Sequence, residues 1–127
     1  MASNTLAQTI AIPANEPETE AMVANRFARA PFYAIYHHDS LEFTFVKNQA
    51  MSATGHTGVN AAKQLVDLSV DVVLVPDIGA KAFQVFHKAN IPVHRYHKDY
   101  SIRDVLYEYY EGKIGELAHH TDPHTFD

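Results

Sequence analysis

The chain has 127 residues, no cysteine and a formal net charge of −5. This length accommodates one domain, and an apolar content of 46% with seven Phe and seven Tyr suffices for a packed core. An acidic balance without a basic block disfavours nucleic-acid binding. The lack of cysteine excludes disulfides and cysteine-held iron–sulfur clusters. The start has no signal-peptide pattern and no strongly apolar run exceeds Val72–Val75, so a cytoplasmic protein without membrane contact is expected.

Hydrophobic periodicity, helix caps and turn residues predict strands and helices in a regular order. The predicted elements are a strand at Thr9–Ile12, a hairpin of Phe32–His37 and Leu41–Lys47, a helix from Thr57 or Gly58, a strand at Asp71–Val75, a helix after Gly79, a strand at Ile91–Tyr96 and a helix capped by Ser101. Pro13 is expected to stop the first strand, because proline cannot donate to a central ladder. A long polar loop over residues 14–30 follows, and such loops in small domains are usually functional.

The order of these elements predicts an α/β fold with a mixed sheet. Helix and strand alternate after the hairpin, which implies right-handed crossovers between parallel strands, while the hairpin adds at least one antiparallel strand. Asp71–Val75 is nearly continuously apolar, as is typical of a parallel strand covered on both faces. We therefore expect one domain over residues 8–115, between a flexible leader at 1–7 and a polar, histidine-containing tail at 116–127.

The expected binding site lies at one end of this sheet. In open α/β sheets, ligands bind outside the carboxyl ends of the strands, near helix N-termini. The stretches that should meet there are Pro13–Arg29, Asn48–Gly58 and Pro76–Ala80. Helix starts at Gly58 and Gly79 offer unpaired N–H groups and partial positive charge, which suit an anion such as a metal–sulfide cluster. The alternative interpretation is that Gly55, Gly58 and Gly79 merely permit tight turns.

Some side chains in these stretches are candidate ligands. His56 precedes a helix start, and imidazole binds transition metals well, although a solvent-exposed loop histidine is the alternative. Met51 offers a thioether or simply fills a gap in packing. Arg26 and Arg29 would pair with an anion, or with the loop glutamates Glu16, Glu18 or Glu20. The full set of predicted ligand-binding residues is Asn15, Arg26, Arg29, Met51, Gly55, His56, Gly58, Ile78 and Gly79, with His56 as the metal ligand.

Several segments resemble, in the same order, the dinitrogenase iron–molybdenum cofactor-binding family. They are Arg26–Tyr33, similar to its Arg-Phe-Gly-Arg-Ala-Pro-aromatic stretch, Gly58–Ala62, Asp71–Phe83, Ile91–Val93 and Tyr107–Lys113. The resemblance implies a ribonuclease-H-like sheet of five strands with helices on both faces. It also implies a carrier or scaffold for an iron–sulfur or molybdenum-containing cluster or its precursor, although many members have no known ligand. Ala28 replaces the family's usual glycine, and without cysteine a cluster would need histidine, carboxylate, thioether or backbone contacts.

Two other function classes have to be weighed. Ribonuclease-H-like nucleases hold two magnesium ions with acidic residues on central strands, but Thr9–Ile12 has none and Asp71 precedes its strand. No nucleophile-elbow, Walker or dinucleotide motif is present either, so no enzyme is expected. A protein-interaction module without a cofactor is the alternative, because Tyr107, Tyr109 and Tyr110 cannot all face one core. A carrier would likewise dock onto cluster donors and acceptors.

Overall fold

The computed structural model describes residues 8–52, 57–96 and 99–117, with the backbone alone for residues 51 and 52. Within these ranges the elements are β1 (Thr9–Ala14), β2 (Phe32–His37), β3 (Glu42–Lys47), a 3-10 helix (Gln49–Ser52), α1 (Thr57–Asp67), β4 (Val72–Val75), α2 (Ala80–Lys88), β5 (Val93–Arg95) and α3 (Ile102–Tyr110). They form a five-stranded sheet in the order β3-β2-β1-β4-β5. The hairpin strands pair antiparallel, and β1, β4 and β5 run parallel, which confirms the predicted mixed α/β sheet.

Helices cover both faces of the sheet, and each face has its own core. Because successive strand residues point to opposite faces, β1 sends Ala11 to one side and Ile10 to the other. On the first face, Leu65 of α1 and Phe86 of α2 are fully buried. On the second, Ile102 of α3 packs with the alternate strand residues. This three-layer arrangement confirms the expected ribonuclease-H-like architecture.

β1 continues through Pro13 to Ala14, so the predicted stop at Ile12 was wrong. The parallel pairing of β1 with β4 involves only Ile10 and Ala11, whereas the pairing with β2 continues to Ala14. No β4 ladder bond therefore requires an N–H at Pro13. The Pro13 carbonyl instead accepts from the Ala24 N–H at 2.9 Å. Proline is tolerated where a strand lacks one neighbour.

The register of the hairpin places several loops at one end of the sheet. Ala14 pairs with Phe32, which pairs with Lys47, so the chain leaves β1, enters β2 and leaves β3 at the same level. The carboxyl ends of the parallel strands β4 and β5 point the same way. We call this the loop end of the sheet. The segment between β1 and β2 is anchored there by bridges from Val23 to Ala14 and from Met22 to Ser101.

α3 begins where the sequence predicts. The Ser101 hydroxyl accepts from the Asp104 N–H at 3.2 Å, as an N-cap does. Of the three tyrosines on this helix, Tyr107 is 61% exposed. Tyr109 and Tyr110 are half-buried, with ring centroids 5.2 Å apart. None of the described helices is long and apolar enough to span a membrane.

Candidate functional site

Three separate parts of the chain meet around Gly58 at the loop end. Gly58 lies in the first turn of α1. Glycine has no Cβ, but a Cβ added to Gly58 would lie 3.5 Å from the Ala82 Cβ in α2 and 3.8 Å from the Ala28 Cβ in the segment between β1 and β2. Both distances are ordinary van der Waals contacts, so the three segments pack directly against one another at this point. The structure thus brings together the first turns of α1 and α2 and the conspicuous arginine-containing stretch.

Residues 26–30 form a short segment that we call the arginine loop, and Phe27 anchors it. The Phe27 side chain is 2% exposed, with its ring centroid 5.2 Å from that of Tyr33 and 5.5 Å from that of Phe86. The Tyr33 hydroxyl donates to the Phe27 carbonyl at 2.6 Å. With this residue held inside, Arg26 and Arg29 on either side are exposed at the surface.

Asn48 joins the arginine loop to the segment that follows β3. Its amide nitrogen Nδ2 donates to the carbonyls of Ala28 at 3.0 Å and Ala30 at 2.9 Å. Its Oδ1 accepts from the Ala50 N–H at 2.9 Å. The side chain is 6% exposed, so these bonds satisfy a buried amide. Sequence reasoning missed Asn48; the available signal was a polar residue directly after a strand at the binding end of the sheet.

The arginine loop carries positive charge that the described residues do not neutralise. Neither Arg26 nor Arg29 makes an ion pair with another described residue. Glu20, one of the glutamates considered as their partner, is bound instead to Arg103, with 2.6 Å between Oε2 and Nε. Exposed ion pairs contribute little to stability, but this one occupies the carboxylate. Both arginines are thus available to an anion.

The helix starts add to this positive character. The N-cap of α2 is Gly79, which provides no side-chain cap, and neither α1 nor α2 has an acidic residue in its first turn. Unpaired N–H groups of a first helical turn attract anions. Gly79 has φ −79°, and the described glycine with a positive φ is Gly112. Residues other than glycine could therefore adopt the backbone conformations of Gly58 and Gly79. This disfavours the interpretation that these two glycines are present only to permit tight turns.

The remaining predicted ligand-binding residues differ in how exposed they are and in whether the structure describes them. Asn15 is exposed just after β1, and its N–H donates to the Met22 carbonyl at 3.1 Å. Ile78 is 1% exposed with its side chain in the core, so its route to a ligand would be through the backbone. Met51 has its backbone in the 3-10 helix. Gly55 and His56 lie outside the described residues. Across the described ranges, no three His, Asp or Glu side chains group together as a metal site would require.

Two buried tyrosines differ in how their hydroxyls are satisfied. Burial raises the pKa of both Tyr33 and Tyr96 well above the ordinary value, so both phenols are neutral at physiological pH. The Tyr33 hydroxyl is bonded to the Phe27 carbonyl, whereas the buried Tyr96 hydroxyl has no hydrogen-bond partner among the described residues.

This contrast predicts opposite effects of removing each hydroxyl. Tyr33→Phe is expected to lower the free energy of unfolding by about 1 kcal/mol, because it breaks a buried hydrogen bond. Tyr96→Phe should be neutral or stabilising, because it removes a buried group that the described chain leaves unpaired. Urea denaturation followed by circular dichroism would measure both. Equal losses in the two variants would contradict the different roles assigned to these hydroxyls.

The fold and the loop end define a small ribonuclease-H-like α/β domain with a surface suited to anions. The sequence pattern of the family described as "Dinitrogenase iron-molybdenum cofactor" matches residues 8–112, and the chain belongs to that family. It is therefore a small cofactor-related protein.

Two solved structures are similar over nearly their whole length. The apo form of the orange protein from Desulfovibrio gigas shares 26% identity at a TM-score of 0.87, covering 91% of this chain and 97% of its own. A putative NifB protein from Thermotoga shares 28% identity at a TM-score of 0.80, with 92% and 98% covered. No curated protein matches the chain at a significant level.

Proposed function

We propose that this protein is a carrier or scaffold for an anionic metal cluster or its precursor, of the iron–sulfur or molybdenum-containing kind. The observation that carries the proposal is the meeting of the arginine loop with the starts of α1 and α2 at Gly58. Membership of a cofactor family supports the choice of a metal cluster among anions. The orange protein structure is that of an apo form, which indicates that this similar protein takes up a ligand.

In this proposal, most contacts to the cluster come from positively charged side chains and backbone N–H groups, and few come from side chains that bond the metal directly. Arg26 and Arg29 would pair with its negative charge by charge-assisted hydrogen bonds. The N–H groups at the start of α2 would face its sulfur or oxygen atoms. His56 would supply the metal bond, and Met51 a soft thioether contact. One strong side-chain ligand with several weak contacts suits a carrier, since the cluster must be released to an acceptor.

We propose further that the protein is not an enzyme and that it works in the cytoplasm, exchanging its cluster with donor and acceptor proteins. Within the described arginine loop, the exposed groups are Arg26 and Arg29 around the buried Phe27, and a guanidinium stays charged at neutral pH. These two side chains can bind and position an anion but do not transfer protons to it. Turnover of a cluster precursor by the isolated protein would contradict this part of the proposal.

Anaerobic loading tests the proposal directly. Untagged protein is purified without oxygen, incubated with ferrous iron, sulfide and molybdate, and freed of excess reagents by gel filtration. We expect metal and sulfide near stoichiometric levels and a charge-transfer band in the visible spectrum. Protein that emerges metal-free and colourless, both as purified and after loading, would overturn the carrier function.

Replacing His56 by alanine is expected to weaken cluster retention about tenfold or more, because a direct metal bond would be lost. His87→Ala is the matched control, since His87 is exposed near the far end of α2. Metal content after gel filtration, together with the position of the charge-transfer band, measures the effect. Unchanged retention and spectrum in His56→Ala would show that this histidine is not the ligand.

A further inference from the structure

The two edges of the sheet differ in whether the chain covers them. At the β5 edge, the Arg95 N–H donates to the Gly115 carbonyl at 3.3 Å and the Leu117 N–H donates to the Val93 carbonyl at 2.7 Å, so the segment after α3 lies along this strand. At the other edge, no described segment pairs with the outer side of β3. An uncovered edge strand is a template for pairing with another chain.

The backbone groups that point outward from β3 belong to Phe43, Phe45 and Lys47. Just past the strand, the Asn48 N–H donates to the Pro31 carbonyl at 3.0 Å, so the backbone of Asn48 faces the β2 side. Backbone groups of an antiparallel strand alternate in direction, which turns those of the three odd-numbered residues away from β2. On this outer side, neither phenylalanine makes a hydrogen bond to a described residue.

Gln64 of α1 closes the edge at Lys47 and thereby fixes the register that an added strand can take. Its Nε2 donates to the Lys47 carbonyl at 2.7 Å, and its Oε1 accepts from the Gln49 N–H at 3.1 Å. Within β3, complete donor–acceptor pairs are then free at Phe43 and Phe45. A second β3, running antiparallel, satisfies them if Phe43 of each copy lies opposite Phe45 of the other, because each such pair exchanges two hydrogen bonds.

The side chains on the α3 face agree with this register. Phe43 and Phe45 are half-buried, with stacked rings whose centroids lie 5.9 Å apart. The register sets each ring beside a ring of the second copy, so the aromatic stripe continues across both strands. Natural edge strands often carry a charge in their middle that prevents pairing, whereas the charges of β3 are at its two ends, Glu42 and Lys47.

The charges on the α1 face also match those of a second copy. The register places Glu42 of one copy opposite Val46 of the other, on the same face of the joined sheet. Val46 lines a groove between β3 and α1, and the charged residues of that groove are Lys47, Lys63 and Asp67. None of them makes an ion pair with a described residue. Residues 53–56, which lie between the groove segments in sequence, contain no Lys, Arg, Asp or Glu. The lysines are in excess, and the incoming Glu42 supplies negative charge to the groove of each copy.

We propose that the β3 edge is an interface with a second copy of this chain, which joins the two five-stranded sheets into one. The two-fold axis is perpendicular to the sheet and passes between the two Thr44 residues, so the same surface is used on both copies. This rotation points the loop ends of the two copies in opposite directions and leaves both open to solvent. The inference therefore does not depend on the cargo proposed above.

The mass of the full chain in solution, measured by light scattering after gel filtration, tests the proposal. We expect a dimer in equilibrium with monomer over micromolar to millimolar concentrations. Thr44→Lys should weaken the association about tenfold, because it brings like charges together on the two-fold axis. Thr44→Glu should do the same, and an equimolar mixture of the two variants should dimerise again. A protein that stays monomeric at every concentration would overturn the proposal and leave the edge to residues 1–7, residues 118–127 or another protein.

Cross-linking tests the register. The chain has no cysteine, so Thr44→Cys introduces one thiol into each copy. Residues opposite each other in such a non-hydrogen-bonded pair have Cα atoms about 4.5 Å apart, which a disulfide can span. We expect a disulfide-linked dimer on mild oxidation. Glu42→Cys is the matched control, because its two copies would be about 13 Å apart along the strands. A dimer in which Thr44→Cys does not cross-link, or in which both variants cross-link equally, would overturn the assigned interface.

Discussion

Phe27→Ala is expected to lower the free energy of unfolding by about 3–5 kcal/mol. The ring is 2% exposed and packs between Tyr33 and Phe86, so its removal opens a cavity under the arginine loop. A loss of this size is a large fraction of the roughly 5–15 kcal/mol that stabilises most domains. Urea denaturation monitored by circular dichroism would give the value, provided that the transition is two-state.

Phe83→Ala is the control for this substitution. Phe83 lies on α2, is only half-buried and stacks against the exposed His87, with 6.1 Å between ring centroids. Removing it exposes less new apolar surface and leaves a site that solvent can fill, so a clearly smaller loss is expected. A similar loss in both variants would show that Phe27 is not the anchor that the packing indicates.

Substituting glutamine for both Arg26 and Arg29 is expected to reduce cluster retention about tenfold to a hundredfold. Each charge-assisted hydrogen bond to an anion contributes on the order of 1.5–3 kcal/mol, and exposure to solvent reduces the combined effect. Both side chains are exposed and unpaired among the described residues, so the fold should be unaffected. Metal content after anaerobic loading and gel filtration measures retention.

The matched control for the arginines is the pair Lys63→Gln and Lys88→Gln. Both lysines are exposed on helices, and the two substitutions change the net charge by the same amount. If retention depends on the local geometry of the arginine loop, the lysine variant behaves like the natural protein. If both double variants retained the cluster equally poorly, and if the difference from the natural protein disappeared at higher salt, the overall charge and not this loop would attract the cluster.

Sequence patterns were sufficient for most of the fold because its strands and helices have strong local signals. The continuous apolar run at Val72–Val75 and the capping pair Ser101 and Asp104 behave as their local chemistry predicts. The end of β1 was not predictable in this way. Whether Pro13 can belong to a strand depends on how far β4 pairs alongside it, and that is a property of the assembled sheet.

The candidate site also combines features that the sequence predicts with features that only the folded chain determines. The convergence of loops at one sheet end follows from the order of elements, and the structure brings Ala28, Gly58 and Ala82 together. Long-range side-chain bonds were beyond sequence reasoning. The contacts of Asn48 with the carbonyls of Ala28 and Ala30, and the exposed pair of Glu20 and Arg103, join residues far apart in the chain without any periodic pattern.

Amide NMR spectra of isotope-labelled protein, recorded anaerobically before and after cluster loading, test most directly whether the loop end of the sheet binds the cluster. We expect the signals of Ala28, Gly58 and Lys81 to shift or broaden, while those of the β2–β3 turn at residues 38–41 stay unchanged. Bound metal accompanied by changes confined to that turn or to residues 118–127 would contradict the site. It would show that the cluster does not bind at the loop end of the sheet.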